Sequence, residues 1–300
     1  MSRKLLLAII VVLLVTNIAS ILIMSNEGSV DVDDIEGKKV NVKDAVATIN
    51  DEEITYEEWI NTLKGSYGKS QLQAMIDRFV VKQLAEERNI QIDEKVIERE
   101  IALLTTMQGV VSEESREKME ARWRDEIIYR YQLEQLLTMN TDISEEELRH
   151  FYTINGDQYN FNSAMQISHI LVDTFDAAEK VMQELNDGAT FSLLAKEYSN
   201  DEETKDDGGY LGFIHTNSQF FPNGYEDVAA EIDEYTYSEP FQSDNGVAII
   251  YLHRKLPSIN FTYEEMKPYV KSELALQEEK QSLHARSLWE ELDINWIYDE

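Results

Sequence analysis

Twenty consecutive uncharged residues, Leu5 to Met24 ("LLLAIIVVLLVTNIASILIM"), constrain this chain more than any other feature. At about 1.5 Å per residue a helix of that length reaches about 30 Å, the thickness of a bilayer's hydrocarbon core. Arg3 and Lys4 precede the run and an acidic stretch follows it, so the positive-inside tendency puts the N-terminus in the cytoplasm and everything after Asn26 outside. A cleaved signal peptide is the alternative, but Ile21 to Met24 carry the apolar run past the small pair Ala19-Ser20, and no A-x-A pattern appears. The expectation is a single-pass anchor in the cell membrane, with the bilayer contacted through Leu5 to Met24 and the main body extracytoplasmic. With no cysteine, a thioether-linked lipid, a disulfide and a thiolate nucleophile are all excluded.

The body is acidic, with 58 Asp and Glu against 27 Lys and Arg and a formal charge of -31, which argues against a nucleic-acid partner. His150, His169, His215, His253 and His284 lack metal-ligand spacing, so no metal is expected. "DEETKDD" at Asp201 to Asp207 lacks the ordered ligands of an EF-hand. Gly208-Gly209 has neither a G-x-G-x-x-G pattern nor a Gly-Lys-Ser/Thr ending, so it reads as a turn and no cofactor is expected.

Composition and periodicity divide the chain into five parts. Residues 1–25 are the cytoplasmic end and anchor; 26–44 are polar, charged and poor in large apolar groups, as in a flexible stalk. Residues 45–157 read as a mainly helical module. A short strand at Val46 to Ile49 leads through Asn50-Asp51 to a capping pair, Thr55 and Glu58. Helical stripes follow at Ser70 to Arg88, Asp93 to Gln108 and Glu114 to Met139, and Ser144-x-x-Glu147 is a second capping box. From 158 to 256 short strands and helices mix: "AMQISHILV" and "GVAIIYL" are strands, Phe175 to Leu185, Phe191 to Tyr198 and Tyr225 to Ile232 helices. Residues 257–300 return to an amphipathic helix, Phe261 to Glu291, followed by "INWIY", an apolar end expected to pack as a strand beside the N-terminal module. The fold class is α+β, with a mixed domain inserted into a helical one.

Within that mixed segment, "QISHILV", "LAKEYSND", "DDGGYLGFI", "QFFPNGYEDVAAEI" and "YSEPFQSDNGVAII" follow one another in the order and spacing of a parvulin-type peptidyl-prolyl isomerase domain, which Phe161 to Arg254 resembles. The preceding "YGKSQLQAMIDRFVVKQLAEERNIQIDEKVIERE" resembles the chaperone region of bacterial extracytoplasmic foldases of the PrsA and SurA type. The resemblance implies a four-stranded antiparallel sheet surrounded by helices, with a proline pocket on one face. It places His169 as the strand histidine, Asp201 where members carry cysteine or aspartate, Phe220 (or Phe221, one step on) as the large apolar pocket residue, and Tyr225 as the aromatic that begins a short helix. The departure is Ala248, where a second core histidine normally stands. His253 is no replacement, because five strand positions put it on the opposite face.

The implied function is a membrane-anchored foldase that binds exported, unfolded chains and isomerises their X-Pro bonds, with His169, Asp201, Phe220 and Tyr225 as its catalytic set. The alternative is a noncatalytic chaperone or scaffold built on a degenerate parvulin domain, favoured by Ala248.

Overall fold

The structure, a computed structural model, describes residues 31–33, 39–41, 44–216, 218, 222–279 and 283–298. The expected anchor at Leu5 to Met24 lies outside them. Among the described residues no helix is long and apolar enough to cross a membrane. The chain forms two compact units, residues 1–77 with 294–300, and residues 78–293.

In the first unit, β1 (Asp31–Asp33) and β2 (Lys39–Asn41) pair antiparallel inside the segment expected to be a flexible stalk. β3 (Ala45–Ile49) and β4 (Glu52–Thr55) then form a hairpin. Its turn needs a left-handed residue, supplied by Asn50 at φ 56°. The capping pair is present: Thr55 donates to the Glu58 carboxylate from its backbone N–H and its hydroxyl, both at 3.0 Å, and the Glu58 N–H returns a bond to Thr55 Oγ1 at 3.3 Å. It starts α1 (Tyr56–Glu87). The chain end was expected as a strand, but residues 293–296 form no sheet. At this end of the chain the Lys69 ammonium lies 6.0 Å from the Trp296 ring centre and 5.9 Å from that of Tyr298.

In the second unit, α2 (Glu94–Thr106), α3 (Glu113–Thr138) and α4 (Glu145–Asn155) precede the sheet, and α8 (Tyr263–Glu279) follows it. Each of the first three begins at a side-chain cap, Asp93, Ser112 and Ser144, the last a complete capping box with Glu147. The helices on either side of the sheet share one core. Val96, Ile143 and Leu148 from before it pack with Phe261, Met266, Tyr269 and Val270 from after it. Lys95 to Glu265 and Lys267 to Glu145, both 2.6 Å, tie the same elements at the rim.

The expected helix from Phe261 to Glu291 is helical over Tyr263–Glu279 among the described residues. Ala285–Glu291 is instead a 3-10 stretch, whose three-residue pitch brings Ala285 and Leu288 to one buried side.

The sheet contains β5 (Ala164–Val172), β6 (Tyr210–His215), β7 (Thr236–Tyr237), β8 (Phe241–Ser243) and β9 (Gly246–Leu256), all paired antiparallel in the order β6-β5-β9, with β7 and β8 both on the outer edge of β9. The sheet is therefore five-stranded, where four strands were expected. The outer position is divided because Pro240 has no N–H to continue a ladder, so the edge breaks between a piece facing Tyr251 and Leu252 and a piece facing Gly246 to Ala248.

Helices cover the two faces unequally. α5 (Phe175–Asn186) and α6 (Phe191–Tyr198) bury Ala178, Val181, Leu185 and Leu194 against Ile170, Val172, Val247 and Ile249. On the other face α7 (Tyr225–Glu231) sets Tyr225 and Ala229 among Ile167, Leu171, Ala248, Ile250 and Leu252. β5 is buried from end to end and β9 is buried from Val247 to Ile250, which explains why "ILV" and "VAII" run apolar on both faces rather than alternating.

Candidate active site

The α7 side of β5 carries the polar cluster. His169 lies between Ile167 and Leu171 on that face, opposite Ile250 of β9, and is 6% exposed. A histidine buried so deeply needs partners for both ring nitrogens, and both are present. Nδ1 is 2.8 Å from the Tyr225 hydroxyl; Nε2 is 2.7 Å from Asp201 Oδ2 and 3.2 Å from Thr204 Oγ1. The expected residues His169, Asp201 and Tyr225 thus converge, although they come from a strand, a loop and a helix.

Backbone stitching delivers Asp201. The Leu171 N–H donates to Ser199 Oγ at 3.2 Å and the Asn200 N–H donates to the Leu171 carbonyl at 2.7 Å, so the chain leaving α6 runs beside β5. Asp201 then folds into a turn of its own, its Oδ1 accepting from the Glu203 N–H at 3.2 Å while the Thr204 hydroxyl donates to Oδ2. Gly209 closes the loop: its carbonyl accepts from the His169 N–H at 2.8 Å and its N–H donates to the Thr204 carbonyl at 2.9 Å. It has φ 75°, and a Cβ there would run into the His169 carbonyl, so both the conformation and the close approach require glycine.

Burial by itself would raise the Asp201 carboxyl. The hydrogen bonds from Thr204, His169 and the Glu203 backbone outweigh it and hold the group below the ordinary aspartate value. Asp201 is therefore ionised at neutral pH. Burial pushes the Tyr225 phenol well above its ordinary value, so it keeps its proton. Its ring is 1% exposed and meets Phe241 edge-on at 5.2 Å. Tyr225 belongs to the layer beneath the site, whereas Asp201, with its side chain 21% exposed, is the member open to solvent. Phe220 and Phe221 lie outside the described residues.

Ala248 is fully buried on the same face, with Leu171 its register partner on one side and Phe241 on the other. It offers only a methyl group. His253 is on the opposite face, as its strand position predicts: its Nε2 is 2.8 Å from Ser168 Oγ, and the Tyr251 and Tyr210 rings meet it edge-on. A bulge between Gln166 and Ile167 in the β5–β9 pairing leaves His253 without a register partner, and burial pushes it down to about 4. It is a neutral structural histidine at physiological pH.

Thr204 and Ser199 complete the cluster and were not singled out from sequence. Thr204 had a local signal, a hydroxyl three residues after an aspartate in a turn-forming run; Ser199 had none. Among the described residues no group of three or more histidine or acidic side chains is arranged to hold a metal ion.

Residues 169–254 match the family model of the Rotamase family, the PPIC-type PPIASE domain. Over 258 residues the chain is 35% identical to YacD of Bacillus subtilis, a protein named for peptidyl-prolyl cis-trans isomerisation, and the match covers 86% of each chain. It is 31% identical over 233 residues to Foldase protein PrsA of Oceanobacillus iheyensis, covering 74% of this chain and 73% of the other. A crystal structure of PrsA from Bacillus cereus is 24% identical, covering 86% of this chain and 95% of that one, with a TM-score of 0.32, too low to compare the arrangement of elements.

Proposed function

We propose, from the premise that this chain belongs to the family of PrsA-type foldases carrying a PPIC-type peptidyl-prolyl isomerase domain, that it holds exported, unfolded chains outside the cytoplasm and isomerises their X-Pro bonds at the His169 site. Peptidyl-prolyl cis-trans isomerisation is the family's chemistry and this protein is such an isomerase. The further reading is that Leu5 to Met24 anchors it and that Asp201 acts directly on the substrate amide.

The observation that carries this reading is the ionised, partly open Asp201 held by the buried His169 and by the half-buried Thr204. A peptide bond resists rotation by roughly 18–20 kcal/mol because resonance gives its C–N bond double-bond character and shifts negative charge onto oxygen. Twisting the bond undoes that shift. A fixed carboxylate near the carbonyl oxygen therefore disfavours the planar amide more than the twisted one, and only such a difference accelerates the reaction. The X-Pro bond is the suitable substrate because both its isomers are populated. No nucleophile or metal has to take part.

The test is cis-to-trans relaxation of a short X-Pro peptide with the purified full-length chain, alongside suppression of aggregation of an unfolded client. Acceleration that is lost in Asp201→Ala, with client binding retained, is the expected result. Aggregation suppression with no acceleration at any enzyme concentration would favour a scaffold instead, the reading that the dry methyl of Ala248 supports. For topology, protease treatment of intact wall-stripped cells should leave a short membrane fragment; a mature soluble protein beginning near Ile21 would reject the anchor.

A further inference from the structure

His169 has two neighbours with unequal freedom, and together they determine which of its nitrogens carries the proton. Asp201 is ionised and can only accept, so the bond at 2.7 Å requires a proton on Nε2. Thr204 does not compete for that role, because its hydroxyl proton already goes to Asp201 Oδ2. A ring protonated there alone has a bare lone pair at Nδ1, and the atom facing it at 2.8 Å is the Tyr225 hydroxyl.

Tyr225 is suited to donate there. Its phenol keeps its proton, because burial opposes the phenolate. The phenol's hydrogen has His169 Nδ1, at 2.8 Å, as its acceptor. Tyr225 is held in the core by Phe241 and Ala229. The chain of donors then runs in one direction, Tyr225 to His169 to Asp201.

We propose that Tyr225 is the positioning residue of this site: its hydroxyl donates to His169 Nδ1, leaves the ring proton on Nε2, and so aims the N–H that fixes Asp201. This rests on the isomerase reading for its consequence in catalysis, but not for the proton assignment. It gives the buried phenol a function that packing alone does not need, since phenylalanine would fill the same core position. It also supplies from α7 the hydrogen-bond partner that Ala248 cannot supply from β9.

The test uses the full-length chain with nitrogen-15-labelled histidine. At neutral pH the wild-type spectrum should show His169 neutral, protonated at Nε2, with Nδ1 shifted from the position of a free imine nitrogen by an accepted hydrogen bond. Tyr225→Phe keeps the ring and should move Nδ1 to the free-imine position. In Asp201→Asn the Nε2–H tautomer should persist, because Tyr225 still holds Nδ1; adding Tyr225→Phe should release a mixture of tautomers. A packing role would leave all of these signals unchanged. In the peptide assay Tyr225→Phe should lower kcat by about tenfold, the order expected for one neutral hydrogen bond, with KM little changed. A wild-type His169 protonated at Nδ1, or charged, overturns the proposal without any variant having to fold. So does a folded Tyr225→Phe chain whose Nδ1 signal does not move, or one that loses the bond yet keeps full kcat. If the wild type shows the predicted proton arrangement but no isomerase activity, the positioning of His169 stands and the catalytic reading of the site fails.

Discussion

Asp201 and His253 sit on opposite sides of one sheet and respond differently to acid. The Asp201 carboxyl is held below its ordinary value, so its stabilising contribution is complete above the unfolded value of about 3.9 and is lost as pH falls through the lower folded value. Urea midpoints of wild type and Asp201→Asn should therefore differ at pH 7 and converge as pH falls below the ordinary aspartate value and through the lower folded one. His253 is pushed down to about 4 by burial, against an unfolded value of about 6.5. Between those values the unfolded chain binds a proton that the folded one refuses. Stability due to His253 is complete above about pH 6.5, declines as pH falls, and levels off below about 4. His253→Gln should flatten that part of the stability curve while leaving peptide isomerisation unchanged, because the side chain bonds to Ser168 on the face away from His169. A variant curve parallel to the wild type between pH 6.5 and 4 would reject this assignment.

At the scale of elements, the loop from Ser199 to Gly209 matters most, since it has few residues and binds β5 at both ends. Gly209→Ala should be among the most damaging small substitutions in the domain. The left-handed conformation alone costs a residue with a Cβ about 1–2 kcal/mol, and here the methyl also meets the His169 carbonyl. The expected result is a lower urea midpoint together with loss of isomerase activity, because relief of the clash pulls Asp201 away from His169. Unchanged activity in Gly209→Ala would mean that the loop is not what holds Asp201. The division of the sheet edge at Pro240 belongs to the same scale: β9, at 11 residues, is long enough to pair with two short strands end to end.

For the whole molecule, the organising fact is that segments far apart in the chain share units. Residues 294–300 group with 1–77, and α8 completes the core begun by α2 and α4. Deleting residues 294–300 removes the two aromatic rings beside Lys69. Hydrogen exchange should then quicken in the part of α1 that precedes Asp77 and stay unchanged in β5 and β9, which belong to the other unit. Equal protection along α1 with and without the tail would show that the chain end contributes nothing to that unit.

Much of this was written locally. Capping pairs announced the starts of α1 and α4, turn residues and apolar runs placed β5, α5, α6 and β9, and the strand period alone put His253 and Ala248 on different faces, because these features depend on residues a few positions apart. The resemblance carried by "QISHILV" and "YSND" located His169 and Asp201. What periodicity could not express were contacts between elements: the split edge strand, the 3-10 end of the last helical segment, and above all the hydroxyl that faces His169 Nδ1 from 56 residues away. Tyr225 was legible as an aromatic at a helix start, a role its ring could fill as tryptophan or phenylalanine would. Only the packing of α7 onto β5 and β9 brings its oxygen to a particular nitrogen, because a hydrogen bond depends on where two elements come to rest, whereas an amphipathic pattern records only which side of each is buried.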